Sequence, residues 1–194
     1  MPYIIHLVLI ICALLAMPAT ATTESPMFDP PQYKSELVLP VLTEMAHHFP
    51  GADHPAAINL VIGTAYQESL GGTYLKQITG PALGKDQMEP NTHTDLWGNY
   101  LMAQPASRSL YVAALCNTSP EGILRGELDH SQLQTDLKYS TVMCRLKYYR
   151  NSFNWPSDPN DIEALAVIWD EIYNANEHHG FPEDFVRNFP REIL

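Results

Sequence analysis

Basic residues are scarce in this chain. Across 194 residues, 11 Lys and Arg stand against 22 Asp and Glu, for a formal net charge of −11. A non-specific nucleic-acid binder needs Lys and Arg to replace the counterions on phosphate, so no nucleic-acid partner is expected. Loose adhesion to other polyanions, anionic membranes and cell walls among them, is disfavoured for the same reason. Cysteine is rarer still, at three residues. No Cys-x-x-Cys occurs, which leaves a structural zinc site without support. A Gly-rich phosphate loop and a Gly-x-Ser-x-Gly nucleophile elbow are also missing, and nothing calls for a cofactor. Hydrophobic content of 45% and charged content of 17% are ordinary globular values, and the length fits one domain.

Long apolar runs are missing too. The longest, residues 3–17, falls short of the about 20 residues that a transmembrane helix requires. It ends in Pro18-Ala19-Thr20-Ala21, a small-residue pattern that signal peptidase accepts, and polar Thr22, Thr23, Glu24 and Ser25 follow. Residues 1–21 therefore read as a secretory signal peptide, implying export to the periplasm or the extracellular space. They lack the usual Lys or Arg at the front, so a retained segment acting as a membrane anchor stays the alternative. Removing the segment takes Cys12 and leaves Cys116 and Cys144. In an exported domain these form either a disulfide or two buried free thiols. Asn117-Thr118-Ser119 is a formal glycosylation sequon. Of the eight histidines, the pairs His47-His48 and His178-His179 would diverge on a helix, and His93-x-Asp95 matches no ligand spacing. No metal site is expected.

Residues 22–33, rich in Pro, Thr and Ser, read as an arm ahead of a folded domain over 34–194. Leu37, Val41, Leu42 and Met45 recur at helical spacing over 34–48, with Pro40 placed to kink that helix. A second helix runs through Ala56, Ile58, Val61, Ile62 and Ala65 to Glu68-Ser69. Gly71-Gly72 then opens a stretch without helical period up to Pro90. Punctuated by Gly80-Pro81 and Gly84, it reads as a small β-hairpin or irregular insertion. Further helices are expected over 91–102, 107–116, 130–151, from 162, and over 181–187. The fold class is mostly α, with one insertion after the second helix.

The chemistry concentrates between Thr64 and Tyr100. Glu68 ends a helix whose preceding residues Val61, Ile62, Ala65 and Tyr66 are apolar, and partial desolvation of its carboxyl favours the neutral form. A carboxylic acid kept neutral near neutral pH can protonate a glycosidic oxygen. Ser69 is placed to hydrogen-bond beside it, and the segment ending in Gln87-Met88 to form the opposite wall of a cleft.

Glu68-Ser69 followed by Gly84-x-x-Gln87-Met88-x-Pro90-x-Thr92 resembles the soluble lytic transglycosylase family of the lysozyme-like superfamily. Ile172-Tyr173-Asn174-Ala175 is similar to that family's Ala-Tyr-Asn-Ala, and the pieces come in the family's order. Tyr74-Leu75, Gly80-Pro81-Ala82-Leu83-Gly84 and Gln87-Met88-Glu89-Pro90 are similar to a variant among phage-encoded wall-degrading virion proteins. The resemblance spans residues 55–186. It implies a lysozyme-like helical domain that cleaves the bond between N-acetylmuramic acid and N-acetylglucosamine in peptidoglycan glycan strands. Glu68 would be the single catalytic acid/base, closing the muramic C6 hydroxyl into a 1,6-anhydro product. Ser69, Gln87, Met88, Tyr173 and Asn174 would form the substrate-binding set. Read alone, Met88 and Tyr173 are core residues, and Trp97 with Tyr100 suit core packing or a sugar-stacking wall.

Lys85-Asp86 depart from the bulky apolar residue that the family places before its Gln. A second carboxylate, with Asp86, Glu89 and Asp95 as candidates, would favour hydrolysis, so transglycosylase and lysozyme-type hydrolase both stay open. A catalytically inactive wall-binding or structural virion protein that kept the cleft is the alternative. Residues 1–21 carry no charged side chain, so the whole −11 belongs to the remainder. An acidic enzyme on an anionic polymer must rely on a short-range sugar cleft, or on delivery by a virion or envelope assembly.

Overall fold

The computed structural model describes residues 26–116, 118–175 and 180–194. The signal-peptide reading, residues 22–25 of the arm, Asn117 of the sequon and His178-His179 lie outside the described residues. The described chain is mostly helical, as the periodicity predicts, and has no sheet. No helix among the described residues is long and apolar enough to cross a membrane.

The helix Pro55–Ser69 is the centre of the fold. Its residues are apolar or small nearly all round, and each from Ala56 to Tyr66 is buried, the pattern of a helix enclosed by others. His54 caps its start, Nδ1 accepting from Ala56 N at 3.2 Å, and Pro55 needs no hydrogen-bond partner at the first position. The helix ends where Leu70 turns left-handed, at φ 52°, and Gly71 N donates back to Ala65 O at 3.1 Å. Gly63 lets the helix Pro182–Asn188 lie close: a Cβ there would stand 2.3 Å from Phe185 Cζ. On another side, Thr64 Oγ1 and Tyr148 Oη share a hydrogen bond of 2.7 Å.

Several local readings change. The second half of the expected arm is folded. Asp29 caps a helical turn Pro30–Tyr33 by accepting from Gln32 N, because Asp-Pro is as good a helix start as a linker. Phe28 stacks on Tyr33 at 4.7 Å and accepts from the Tyr66 hydroxyl at its carbonyl. The chain continues through a π turn, Lys34–Val38, into the helix Leu39–Ala46. Leu39 N reaches back five residues to Lys34 O, and this widened turn accommodates Pro40, whose nitrogen has no hydrogen to donate. The helix expected over 130–151 is two, Gln132–Thr135 and Leu137–Tyr149, split where Asp136 extends and caps Tyr139 N at 2.9 Å. Ser119-Pro120 starts a short helix, Pro120–Leu124, too brief for periodicity to reveal.

The insertion holds two isolated antiparallel bridges, Lys76 with Leu83 and Leu83 with Met88, and no strand, so it is irregular rather than a hairpin. Cys116 and Cys144 are buried free thiols, not a disulfide. One lies beside the Tyr139 side chain and the other beside Asp86, at separate places in the core.

His93 joins the helix Pro90–Asp95 to the helix Leu137–Tyr149. It is fully buried, with Nε2 at 2.5 Å from Tyr139 Oη and Nδ1 at 2.9 Å from His130 Nδ1. Trp97 Nε1 donates to the same hydroxyl at 2.9 Å. Burial, with His130 alongside, pushes the His93 imidazole down to about 3. An imidazole neutral in the fold takes up a proton near 6.5 once unfolded. The stability it contributes is therefore complete above about pH 6.5 and lost as pH falls toward 3. Urea unfolding between pH 6 and pH 4 should show wild type losing on the order of 1 kcal/mol per pH unit more than His93→Gln.

Candidate active site

Glu68 lies in the last turn of the central helix and opens into a cavity of about 200 Å³. Three walls enclose it. The helix end supplies Gln67 and Glu68, the insertion supplies Gln77, Ala82 and Gln87, and the C-terminal part of the chain supplies Trp169 and Asn174. Among the described residues, Glu68 is the only carboxylate in this lining. Trp169 Nε1 donates to Glu68 Oε1 at 2.9 Å and fixes the orientation of the carboxyl.

Each wall is set by local structure. The helix Ile162–Ile168 runs into a π turn, Trp169–Tyr173, closed by Asn174 N donating to Trp169 O at 3.1 Å. Asn174 Nδ2 donates to Asp170 Oδ1 at 2.8 Å and to Gly180 O at 3.0 Å, which holds its side chain at the rim. Gln87 takes a left-handed backbone, at φ 44°, a conformation that costs a non-glycine residue energy and recurs at functional sites. Its Nε2 donates to Gly84 O at 2.7 Å and Tyr74 O at 3.1 Å. Gly84, at φ 78°, brings the insertion against the backbone of Leu133, where a Cβ would stand 2.1 Å from the carbonyl oxygen.

Beneath the cavity, Lys85 and Asp86 form a buried ion pair of 2.5 Å. Burial pushes the Asp86 carboxyl up, against the opposing pull of Lys85. Burial alone would lower the Lys85 ammonium, but Asp86 beside it, together with Tyr33 and Cys144 nearby, outweighs that, and Lys85 stays protonated. The two backbone carbonyls point outward from this pair. Lys85 O accepts from Ser69 Oγ at 2.6 Å and Asp86 O from Tyr173 Oη at 2.8 Å.

Of the residues expected to form the site, Glu68, Gln87 and Asn174 meet at the cavity. Ser69, Met88 and Tyr173 do not. Ser69 is buried and its hydroxyl joins the helix end to Lys85. Met88 packs in the core, and the Tyr173 hydroxyl is spent on Asp86. None of the three candidate second carboxylates lines the cavity. Asp86 is paired with Lys85, Glu89 precedes the helix Pro90–Asp95, and Asp95 binds Arg150 and Asn99. Trp97 is core. Trp169, Gln67 and Gln77 escaped the sequence reading. The one available signal was the position of Trp169, four residues before Tyr173 and in helical step with Ile162, Leu165 and Ala166.

Asp86→Ala would leave Lys85 buried without its counter-charge. Denaturant unfolding should show a loss of about 3–5 kcal/mol, whereas Lys85→Met combined with Asp86→Leu should cost less than the single change. Set against protein-family models, curated proteins and solved structures, the chain matches none of them.

Proposed function

We propose that the protein cleaves the bond between N-acetylmuramic acid and N-acetylglucosamine in peptidoglycan, with Glu68 as its one general acid/base. The observation that carries this reading is the convergence of Glu68, Gln87 and Asn174. The resemblance to lytic transglycosylases picks these out from three distant stretches of chain, and they line one cavity. The lysozyme-like fold belongs to the same proposal.

In this mechanism Glu68 protonates the glycosidic oxygen as its bond to the muramic C1 breaks. The carboxylate so formed takes the proton of the muramic C6 hydroxyl while that oxygen bonds to C1. The products are a 1,6-anhydro end and a free N-acetylglucosamine hydroxyl, with Glu68 reprotonated. Hydrolysis would need a second group to activate water across the ring. With one carboxylate among the described lining residues, the anhydro route is the better supported. The amide nitrogens of Gln67 and Gln77 offer donors, and the amide oxygen of Gln87 an acceptor, to sugar hydroxyls and acetamido groups. The proposed setting is exported, virion-associated or within an envelope assembly, with peptidoglycan glycan strands as the partner.

Zymography on purified peptidoglycan should show clearing by wild type and a loss of about 10²–10⁴-fold in Glu68→Gln, the share of a positioned proton-transfer group. Mass spectrometry of the released muropeptides should find anhydro ends. Reducing ends would replace transglycosylase by hydrolase, and a wild type that clears nothing would leave a wall-binding protein. Because the chain is acidic, binding cannot rest on a broad basic surface, so clearing should persist when salt is raised to screen charge repulsion. A steep loss at modest salt would contradict that.

A further inference from the structure

A second cavity, of about 350 Å³, lies at the opposite end of the central helix, where Pro50, His54, Arg145, Tyr149, Phe153 and Trp155 meet. The helix has 15 residues, so this cavity is about 20 Å from Glu68. We propose that it binds a small, singly charged carboxylate carried on a flat or ring-shaped apolar body, with Arg145 as the receiving charge. The proposal does not rest on the reading of Glu68.

Arg145 is unusual for a buried cation. It is 2% exposed, yet among the described residues no carboxylate forms an ion pair with it. Nε donates to Ala52 O at 3.0 Å and Nη2 to Gly51 O at 3.2 Å, while Nη1 is buried with no hydrogen-bond partner. A buried guanidinium nitrogen left unpaired is costly, and a carboxylate is the ligand that best fits its planar fork. Burial lowers the group only to about 10, so it stays charged at neutral pH.

The walls specify the body of the ligand. The guanidinium carbon lies 5.0 Å from the Tyr149 ring centre and 5.4 Å from that of Trp155. Trp155 stacks on His54 at 5.0 Å and meets Phe153 edge-on at 4.7 Å, so one side of the cavity is almost entirely aromatic. His54 Nδ1 already accepts from Ala56 N, so that nitrogen is occupied by the helix start and offers the ligand no donor. The first amide groups of the helix are likewise taken, Ala57 N and Ile58 N both donating to His54 O. With Arg145 as the one Lys or Arg in its lining, the cavity suits a monoanion better than a phosphate dianion. Tyr149 and Trp155 are partly exposed and must part slightly to admit the carboxylate to Nη1.

The test is an NMR titration of the full chain with benzoate, in parallel with benzamide, its neutral counterpart. Benzoate should give saturable shifts at the Trp155 indole N–H and the Arg145 Nε–H, and benzamide should bind at least about tenfold more weakly. Arg145→Gln should lose benzoate by a similar factor. If that variant does not fold, Trp155→Ala serves, its position being partly exposed, and it should weaken benzoate severalfold. Absence of saturable shifts, equal binding of benzamide, or an unchanged benzoate affinity in Trp155→Ala would each overturn the proposal. Inorganic phosphate displacing benzoate at equal concentration would overturn the assignment to a carboxylate.

Discussion

Taking an ammonium and a carboxylate out of water costs several kcal/mol per ion before their attraction is counted. Lys85 and Asp86 are nevertheless both in the core, and their neighbourhood explains what the pair does there. The peptide groups that carry these two side chains hold the Ser69 hydroxyl on one side and the Tyr173 hydroxyl on the other. The end of the central helix, the irregular insertion and the π turn bearing Trp169 therefore share a single anchor. Glu68 is one residue from the first of these attachments and Gln87 one residue beyond the pair. Their separation across the cavity is set by side-chain hydroxyls that donate to these two backbone carbonyls.

This arrangement inverts part of what the sequence suggests. The resemblance puts Ser69, Met88 and Tyr173 in the substrate-binding set beside Gln87 and Asn174, although Met88 and Tyr173 read alone are core residues. The alternation is physical. Of two consecutive residues at a wall, one faces the cavity and its neighbour faces the core that supports it. Spacing alone cannot say which is which. The π turn adds to the difficulty at Trp169 and Tyr173. A turn one residue wider than an α turn rotates the two rings relative to each other, so the indole reaches Glu68 while the phenol reaches Asp86.

Most of the helical content was legible, because the apolar positions of the helix Pro55–Ser69 and its neighbours recur at the helical period. What escaped had a capping residue as its only signal. Asp29 before Pro30, Ser119 before Pro120 and Asp136 within an apparently continuous pattern each start a helix through a side chain that accepts one amide hydrogen. Such residues occur as readily in turns, and only the tertiary setting distinguishes the cases. The buried ion pair was visible as two adjacent charges, but burial of a charge follows from the surrounding topology and leaves no periodic trace.

The glycines that follow Glu68 reach back to the start of the described chain. Phe28 N donates to Gly71 O, and the Phe28 ring lies where a side chain on Gly72 would be, 2.5 Å from its Cβ position. A domain boundary drawn at residue 34, where the apolar pattern begins, would cut away Phe28, the Asp29 cap and the ring of Tyr33 stacked between them and the core. What compositional reading labels a tether is a clasp on the helix end that carries Glu68. Trimming the protein to its periodic part would thus expose two glycines and unpin the turn on which the cavity is built.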